Sequence, residues 1–124
     1  MMVSVPISIG ELIDKITILE IKRANVQTLS QANNVTVELT HLTDVLHTLA
    51  VPDQVVELTK QLKQVNLELW NIEDAKRQHE LQQQFNDKFI ELARNVYIKN
   101  DLRASIKRQI NTICNSTIIE EKIY

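Results

Sequence analysis

The chain has 124 residues, 16 of them acidic and 14 basic, for a formal net charge of −2; 44% of the residues are hydrophobic and 24% charged. That balance excludes a disordered chain, which lacks apolar residues, and a nucleic-acid-binding surface, which is normally basic overall. One Gly and two Pro leave few points at which a helix must stop, so long helices in a single domain over 1–124 are expected.

In chain order, Val3, Val5 and Ile7 alternate with small or polar residues, as in a short strand that Pro6 would confine to a sheet edge. Ser8 and Glu11 form an S-x-x-E capping box, which opens helix one. Ile9, Leu12, Ile16, Leu19 and Val26 recur at helical steps, and Ile13, Ile18 and Ile21 widen the apolar surface, so cover from more than one side is expected. Arg23 lies on that stripe and calls for a carboxylate or a route to the rim. The spacing predicts helix one over Ile9–Ala32, with the turn at Asn33-Asn34. Val35, Leu39, Leu42, Leu46 and Leu49 define a second, shorter helix. His41 and His47 lack the three- or four-residue spacing of a helical metal pair.

Val51-Pro52-Asp53 breaks the chain, with Asp53 the expected cap of helix three over Asp53–Gln82. Val55, Leu58, Leu62, Val65, Leu69 and Ile72 form a coiled-coil-like seam. Lys76, His79 and Gln83 then replace apolar residues in the same register, and a bend is expected at Gln82–Gln84. Asn86 or Asp87 starts helix four, carrying Phe89, Ile90, Ala93, Val96 and Tyr97. Asn100-Asp101 is read as an interruption, with Asp101 capping a fifth helix that bears Leu102, Ile106, Ile110 and Ile113. Asn115 supplies a left-handed stop, and the tail closes the chain as a final turn of helix. The fold class is all-α, an antiparallel bundle or hairpin of two long helices with shorter helices packed across them. At about 1.5 Å per residue the long helices measure roughly 36 and 45 Å.

Two polar clusters carry the candidate chemistry. Glu73 and Asp74 both stand at helical reach of Arg77, just past the end of the seam. Arg94, Lys99, Arg103, Lys107 and Arg108 form a basic run against Asp101 alone. If Asp101 caps a helix, Arg103 and Lys107 lie in its first turns, where free N–H groups and the helix dipole favour an anion. The candidate ligand residues are Glu73, Asp74, Arg77, Arg94, Asn100, Asp101, Arg103 and Lys107. Glu73, Asp74, Arg77, Arg94, Asp101 and Arg103 are expected to converge where helix three leaves the core, as a structural network. No phosphate-binding Gly-rich loop, G-x-S-x-G, C-x-x-C or H-E-x-x-H occurs, so no cofactor, metal or catalytic residue is assigned. Cys114 is the only cysteine and reads as a small hydrophobe in a reducing compartment. With no basic-then-apolar leader and no apolar run of membrane-spanning length, the expected place is the cytoplasm, with no membrane partner.

The segments SIGELIDKITILEIK, LWNIED, FIELARNVY, NDLRA and EEKIY resemble, end to end from Val5 to Tyr124, an uncharacterised family of small bacterial proteins. The resemblance implies no established activity, cofactor or catalytic residue. Its matching polar positions include Glu11, Asp14, Lys15, Glu20, Lys22, Asn66, Glu73, Asp74, Arg77, Glu80, Arg94, Asn100, Asp101, Arg103, Lys107, Asn111, Glu120, Glu121 and Lys122. The chain departs from the family pattern at Asn115, where Gly is usual, at Lys76, where an apolar residue is usual, and at Asn86, where Asp is usual. IGELIDKITILEIKRANV is also similar to the first helix of the all-helical chorismate mutases. The remaining basic residues that those enzymes use to hold a dicarboxylate are missing, and that reading is not adopted. The sequence therefore points first to a helical interaction or scaffold protein that self-associates as a dimer and binds another protein, nucleic acid not being a partner. The alternative is a module or enzyme for small anions such as phosphate, sugar phosphate or carboxylate, built on Arg77, Arg94, Arg103 and Lys107.

Overall fold

The computed structural model describes residues 1–123; Tyr124, the last residue of the EEKIY segment, lies outside them. Four helices follow one another: α1 (Ile9–Ala24), α2 (Leu29–His47), α3 (Gln54–Leu81) and α4 (Asp87–Ile113). Among the described residues there is no strand, and residues 1–7 run into α1 exposed and without regular structure.

Helix α1 begins where the capping residues place it, with the Ser8 hydroxyl accepting from the Glu11 N–H at 3.0 Å. The carboxylate half of the expected box is used elsewhere: Glu11 accepts from Lys107 Nζ at 2.6 Å and lies 3.6 Å from Lys15. The helix ends at Ala24 rather than Ala32. Asn25 closes it, its N–H donating to the Lys22 carbonyl at 2.9 Å and its side-chain amide to the Ile21 carbonyl at 2.8 Å. Thr28 then caps α2 by accepting from the Gln31 N–H at 3.1 Å, while the Gln31 side chain accepts from the Gln27 N–H at 2.9 Å. This reciprocal start outcompetes Val26 as a continuation of the stripe, and it moves the turn from Asn33-Asn34 to 25–28. Asn33 and Asn34 sit exposed within α2, and Arg23 is exposed in the last turn of α1.

Asp53 does not cap α3 through its side chain; it is itself in a helical conformation. Gln83 takes a left-handed φ of 52°, with the Gln84 N–H on the His79 carbonyl at 2.9 Å and the Gln83 N–H on the Glu80 carbonyl at 3.1 Å. That pair of bonds is a Schellman stop. The Asn86 side chain accepts from the Phe89 N–H at 3.1 Å and starts α4, where Phe85 and Phe89 meet edge to face at 5.3 Å.

Asn100-Asp101 does not interrupt α4. Neither residue removes a backbone donor as Pro does, and Leu92, Ile106 and Ile110 are buried on both sides of the pair. Packing along the whole helix overrides the weak propensity of two polar residues. A second Schellman stop ends α4 at Asn115, φ 54°, with the Ser116 N–H on the Asn111 carbonyl at 2.8 Å and the Asn115 N–H on the Thr112 carbonyl at 3.2 Å. The described tail beyond it is not a helical turn.

The main core joins three helices through Ile13, Val55, Leu58, Leu62, Val65, Ile106 and Ile110, with half-buried Cys114 against it. On the other side of α1, Leu12, Ile16 and Leu19 bury Leu39 of α2. Helix α1 is therefore covered on two sides, as its wide apolar surface requires. Its 16 residues span about 24 Å, whereas the 28 of α3 span about 42 Å. The seam of α3 is buried only at Val55, Leu58, Leu62 and Val65; Leu69 and Ile72 are half-buried. No residue of α3 after Asn66 is buried, and in the first half of α4 only Leu92 is. The far ends of α3 and α4 thus form a two-helix hairpin that α1 does not cover.

Candidate functional site

Helices α1 and α4 cross tightly at Gly10. Its N–H donates to Asn111 Oδ1 at 2.7 Å. A Cβ added there would stand 2.7 Å from the Lys107 carbonyl oxygen and 2.8 Å from Asn111 Oδ1, closer than any side chain tolerates. Glycine at this position brings the two backbones together, and the charged residues of the next turn meet as a result.

At the centre is Asp14, fully buried on α1. Arg103 holds its carboxylate with two N–H groups, Nε on Oδ1 at 3.0 Å and Nη2 on Oδ2. Asn66 of α3 donates to Asp14 Oδ1 at 2.8 Å and to Thr17 Oγ1 at 2.9 Å, and the Thr17 hydroxyl donates to the Asp14 carbonyl at 2.8 Å. Lys107, only 5% exposed, donates to Glu11 at 2.6 Å and to Glu120 of the tail at 2.7 Å, and lies 3.6 Å from Asp14 Oδ2. Arg108 reaches Glu121 at 3.4 Å, so a second bridge holds the tail along α4. Among the described residues no buried side-chain nitrogen or oxygen lacks a partner.

The electrostatics follow from this geometry. Burial alone would raise the Asp14 carboxyl, but the bonds from Arg103 and Asn66 and the charges of Arg103 and Lys107 outweigh it and hold it below the ordinary carboxylate range. Burial likewise works against the Lys107 ammonium, yet its bonds to Glu11 and Glu120 and the nearby Asp14 charge raise it. The hydrogen bond to Asp14 raises the Arg103 guanidinium against burial, and the hydrogen bond from Lys107 lowers Glu120. Arg103 and Lys107 therefore face the acids Asp14, Glu11 and Glu120 of their own fold. Desolvation pushes the Cys114 thiol up, which leaves it a poor nucleophile.

Beside this network lies an open cleft of about 470 Å³ between the second half of α1, α3 and α4. Ile18, Ile21, Leu69 and Trp70 form its apolar walls, and Glu73, Asp74, Arg77 and Asn100 its polar rim, with Arg103 at the inner end. The volume suits a small ligand or a few side chains.

Of the residues singled out from sequence, Glu73, Asp74, Arg77, Asn100 and Arg103 share this cleft. Lys107 belongs to the Asp14 network. Arg94 lines a separate shallow groove beside Asp87 and Glu91, and Asp101 is exposed on α4. The expected convergence is thus partial, because an unbroken α4 carries Arg94 more than two turns from Arg103. Glu73, Asp74 and Arg77 are exposed, not partly buried. Among the described residues neither Asp74 nor Arg77 forms an ion pair, and Glu73 meets Lys76 at 3.5 Å instead.

Sequence reasoning missed Glu11, Asp14, Thr17, Asn66, Asn111 and Glu120 as site residues. For Asp14 a signal existed: an acid flanked by Leu12, Ile13, Ile16 and Thr17 on a helix with a wide apolar surface demands a buried cation. Asn66 carried a weaker one, an amide set among Leu62, Val65 and Leu69. Among the described residues no helix is long and apolar enough to cross a membrane, and no group of three or more His, Cys, Asp or Glu side chains is placed to hold a metal ion.

Neither a curated protein nor a solved structure matches the chain. Residues 3–124 match the family described as a family of unknown function (DUF6165), and the chain belongs to it.

Proposed function

We propose that this protein is a helical interaction module whose working unit is two copies of the chain, joined through the uncovered hairpin of α3 and α4. The observation that carries this reading is the number of large apolar side chains exposed on these two helix ends and the turn between them: Trp70, Leu81, Phe85, Ile90 and Tyr97, with Leu81 77% and Phe85 52% exposed. Two packed helices alone leave faces that only a further element can cover. A second copy is the occupant that fits best. The hairpin's acids Glu73, Asp74, Glu80, Asp87 and Glu91 nearly balance its bases Lys76, Arg77, Lys88 and Arg94, so two hairpins meet without net repulsion, and a closed two-fold contact uses one surface on both partners.

The small-anion reading is less well supported. Arg103 and Lys107 already hold Asp14, Glu11 and Glu120, and an anion would have to displace those carboxylates. The lone free cysteine fits a reducing compartment, and we place the dimer in the cytoplasm. Size exclusion coupled to light scattering tests the proposal. At micromolar concentration the mass should be twice 14.3 kDa, and a clean monomer overturns it.

A further inference from the structure

We infer that the two copies pair α3 against α3, antiparallel, about a two-fold axis midway between Asp74 and Arg77. This rests on the self-association proposed above and goes beyond it by naming the register and the residues that set it.

Trp70, Asp74, Arg77 and Leu81 follow one another at steps of four, three and four residues, so they form a single stripe along α3. Trp70, Asp74 and Arg77 line the cleft, so this part of the stripe borders the open space beside Ile18 and Ile21 of α1, and Leu81 stands exposed one turn further on. The step pattern reads the same in both directions, and the chemistry along it is self-complementary. In an antiparallel pairing about its midpoint, Asp74 of each copy meets Arg77 of the other, and Trp70 of each meets Leu81 of the other. Both polar residues are exposed and without an ion pair among the described residues, although they are within helical reach of each other. Both apolar residues are exposed as well.

The cleft supplies the second half of the argument. In this register the end of α3 from the second copy, with Leu81 and then Phe85 in the turn beyond it, arrives at the walls formed by Ile18, Ile21, Leu69 and Trp70. A space of about 470 Å³ accommodates these side chains, which are among the most exposed large apolar residues of α3 and its following turn. Two reciprocal ion pairs flanked by apolar contacts fix the alignment: a shift by one turn sets the charges against Trp70 or Leu81. Electrostatics thereby specifies the register, while the apolar contacts supply the larger share of the affinity.

The test uses two exposed-site variants and their mixture. Asp74→Arg gives a stripe with two positive residues, and Arg77→Asp one with two negative residues. Each variant alone should dimerise at least about tenfold more weakly than the parent, because like charges then face each other across the axis. An equimolar mixture should form a heterodimer, in which both pairs become attractive, and the double variant Asp74→Arg/Arg77→Asp should regain dimerisation. Sedimentation equilibrium reads all four samples, and circular dichroism verifies that each is folded. Asp74→Asn and Arg77→Gln, which remove charge without reversing it, should fall between parent and reversals. A parent chain that is monomeric overturns self-association and this register together. A parent dimer whose affinity survives either reversal, or reversals that fail to rescue each other, overturns the register alone.

Discussion

The two polar regions of this molecule are built from the same materials and differ in what lies over them. At the crossing of α1 and α4, acids and bases stand beside apolar residues, and every charge of Asp14, Glu11, Arg103 and Lys107 is met within the fold. On the distal hairpin, Asp74 and Arg77 also stand beside apolar residues, yet they remain exposed and unpaired among the described residues. The difference is α1. Where it lies across α3 and α4 it desolvates the charges and brings carboxylates to them, so they act as a structural lock. Beyond α1 the same helix pair presents charges and large apolar side chains to whatever arrives next.

This contrast can be broken most severely at Asp14. Replacing it with Ala leaves Arg103 and Lys107 facing each other without their shared buried carboxylate, and should cost about 3–5 kcal/mol in urea unfolding. Asp74→Ala, on the exposed region, should stay within about 0.5 kcal/mol of the parent when both are measured as monomers. Equal effects would remove the distinction between the two regions.

Gly10→Ala sharpens the account of why the lock forms at all. The added methyl meets the Lys107 carbonyl, which is backbone and yields little. A loss of about 1–3 kcal/mol is expected, together with weakening of the Gly10–Asn111 and Glu11–Lys107 bonds. An unchanged melting temperature would show that the close approach of α1 and α4 is incidental.

The smallest of these effects is a change in pH dependence. Asp14 and Glu120 have lowered values in the fold, so their stabilisation is present above the ordinary carboxylate range and is lost as pH falls through the folded values. Lys107 has a raised value, so its contribution is complete below the ordinary lysine range and is lost as pH rises through the folded value. Stability should therefore be flat near neutrality and fall at both extremes. Asp14→Asn should flatten the acid limb of melting temperature against pH. Glu120→Gln, at a half-exposed bridge, should lower stability by less than about 1 kcal/mol.

Much of the fold was legible in the sequence because its signals were local. Ser8 before the first apolar stripe, the Asn86 start, the Asn115 stop and the buried part of the α3 seam each needed only a few neighbouring residues. The errors arose where two local signals competed. Val26 continued a periodic stripe, while Asn25 and Thr28 ended one helix and began another, and the capping bonds prevailed. Asn100-Asp101 looked like a boundary, but the break it implied would have cost packing by Leu92, Ile106 and Ile110 along one continuous helix. The site was less legible than the fold. Asp14, Asn66 and Lys107 come from three different helices, and only their packing, with α1 and α4 in close approach at Gly10, shows that they meet. Spacing along one helix put Asp74 and Arg77 within reach of each other, but among the described residues they form no ion pair, because both stay exposed at the rim of the cleft.

The central claim, that the hairpin face is an interface and the crossing a lock, is tested most directly by Trp70, the only tryptophan of the chain. It stands 37% exposed at the edge of the cleft in the single chain. As the parent protein is concentrated through its association range, Trp70 emission should move to shorter wavelength and become less accessible to iodide. Asp74→Arg should delay both changes to higher concentration. Emission and quenching that stay constant while the mass measured on the same samples doubles would place the interface elsewhere and contradict the account.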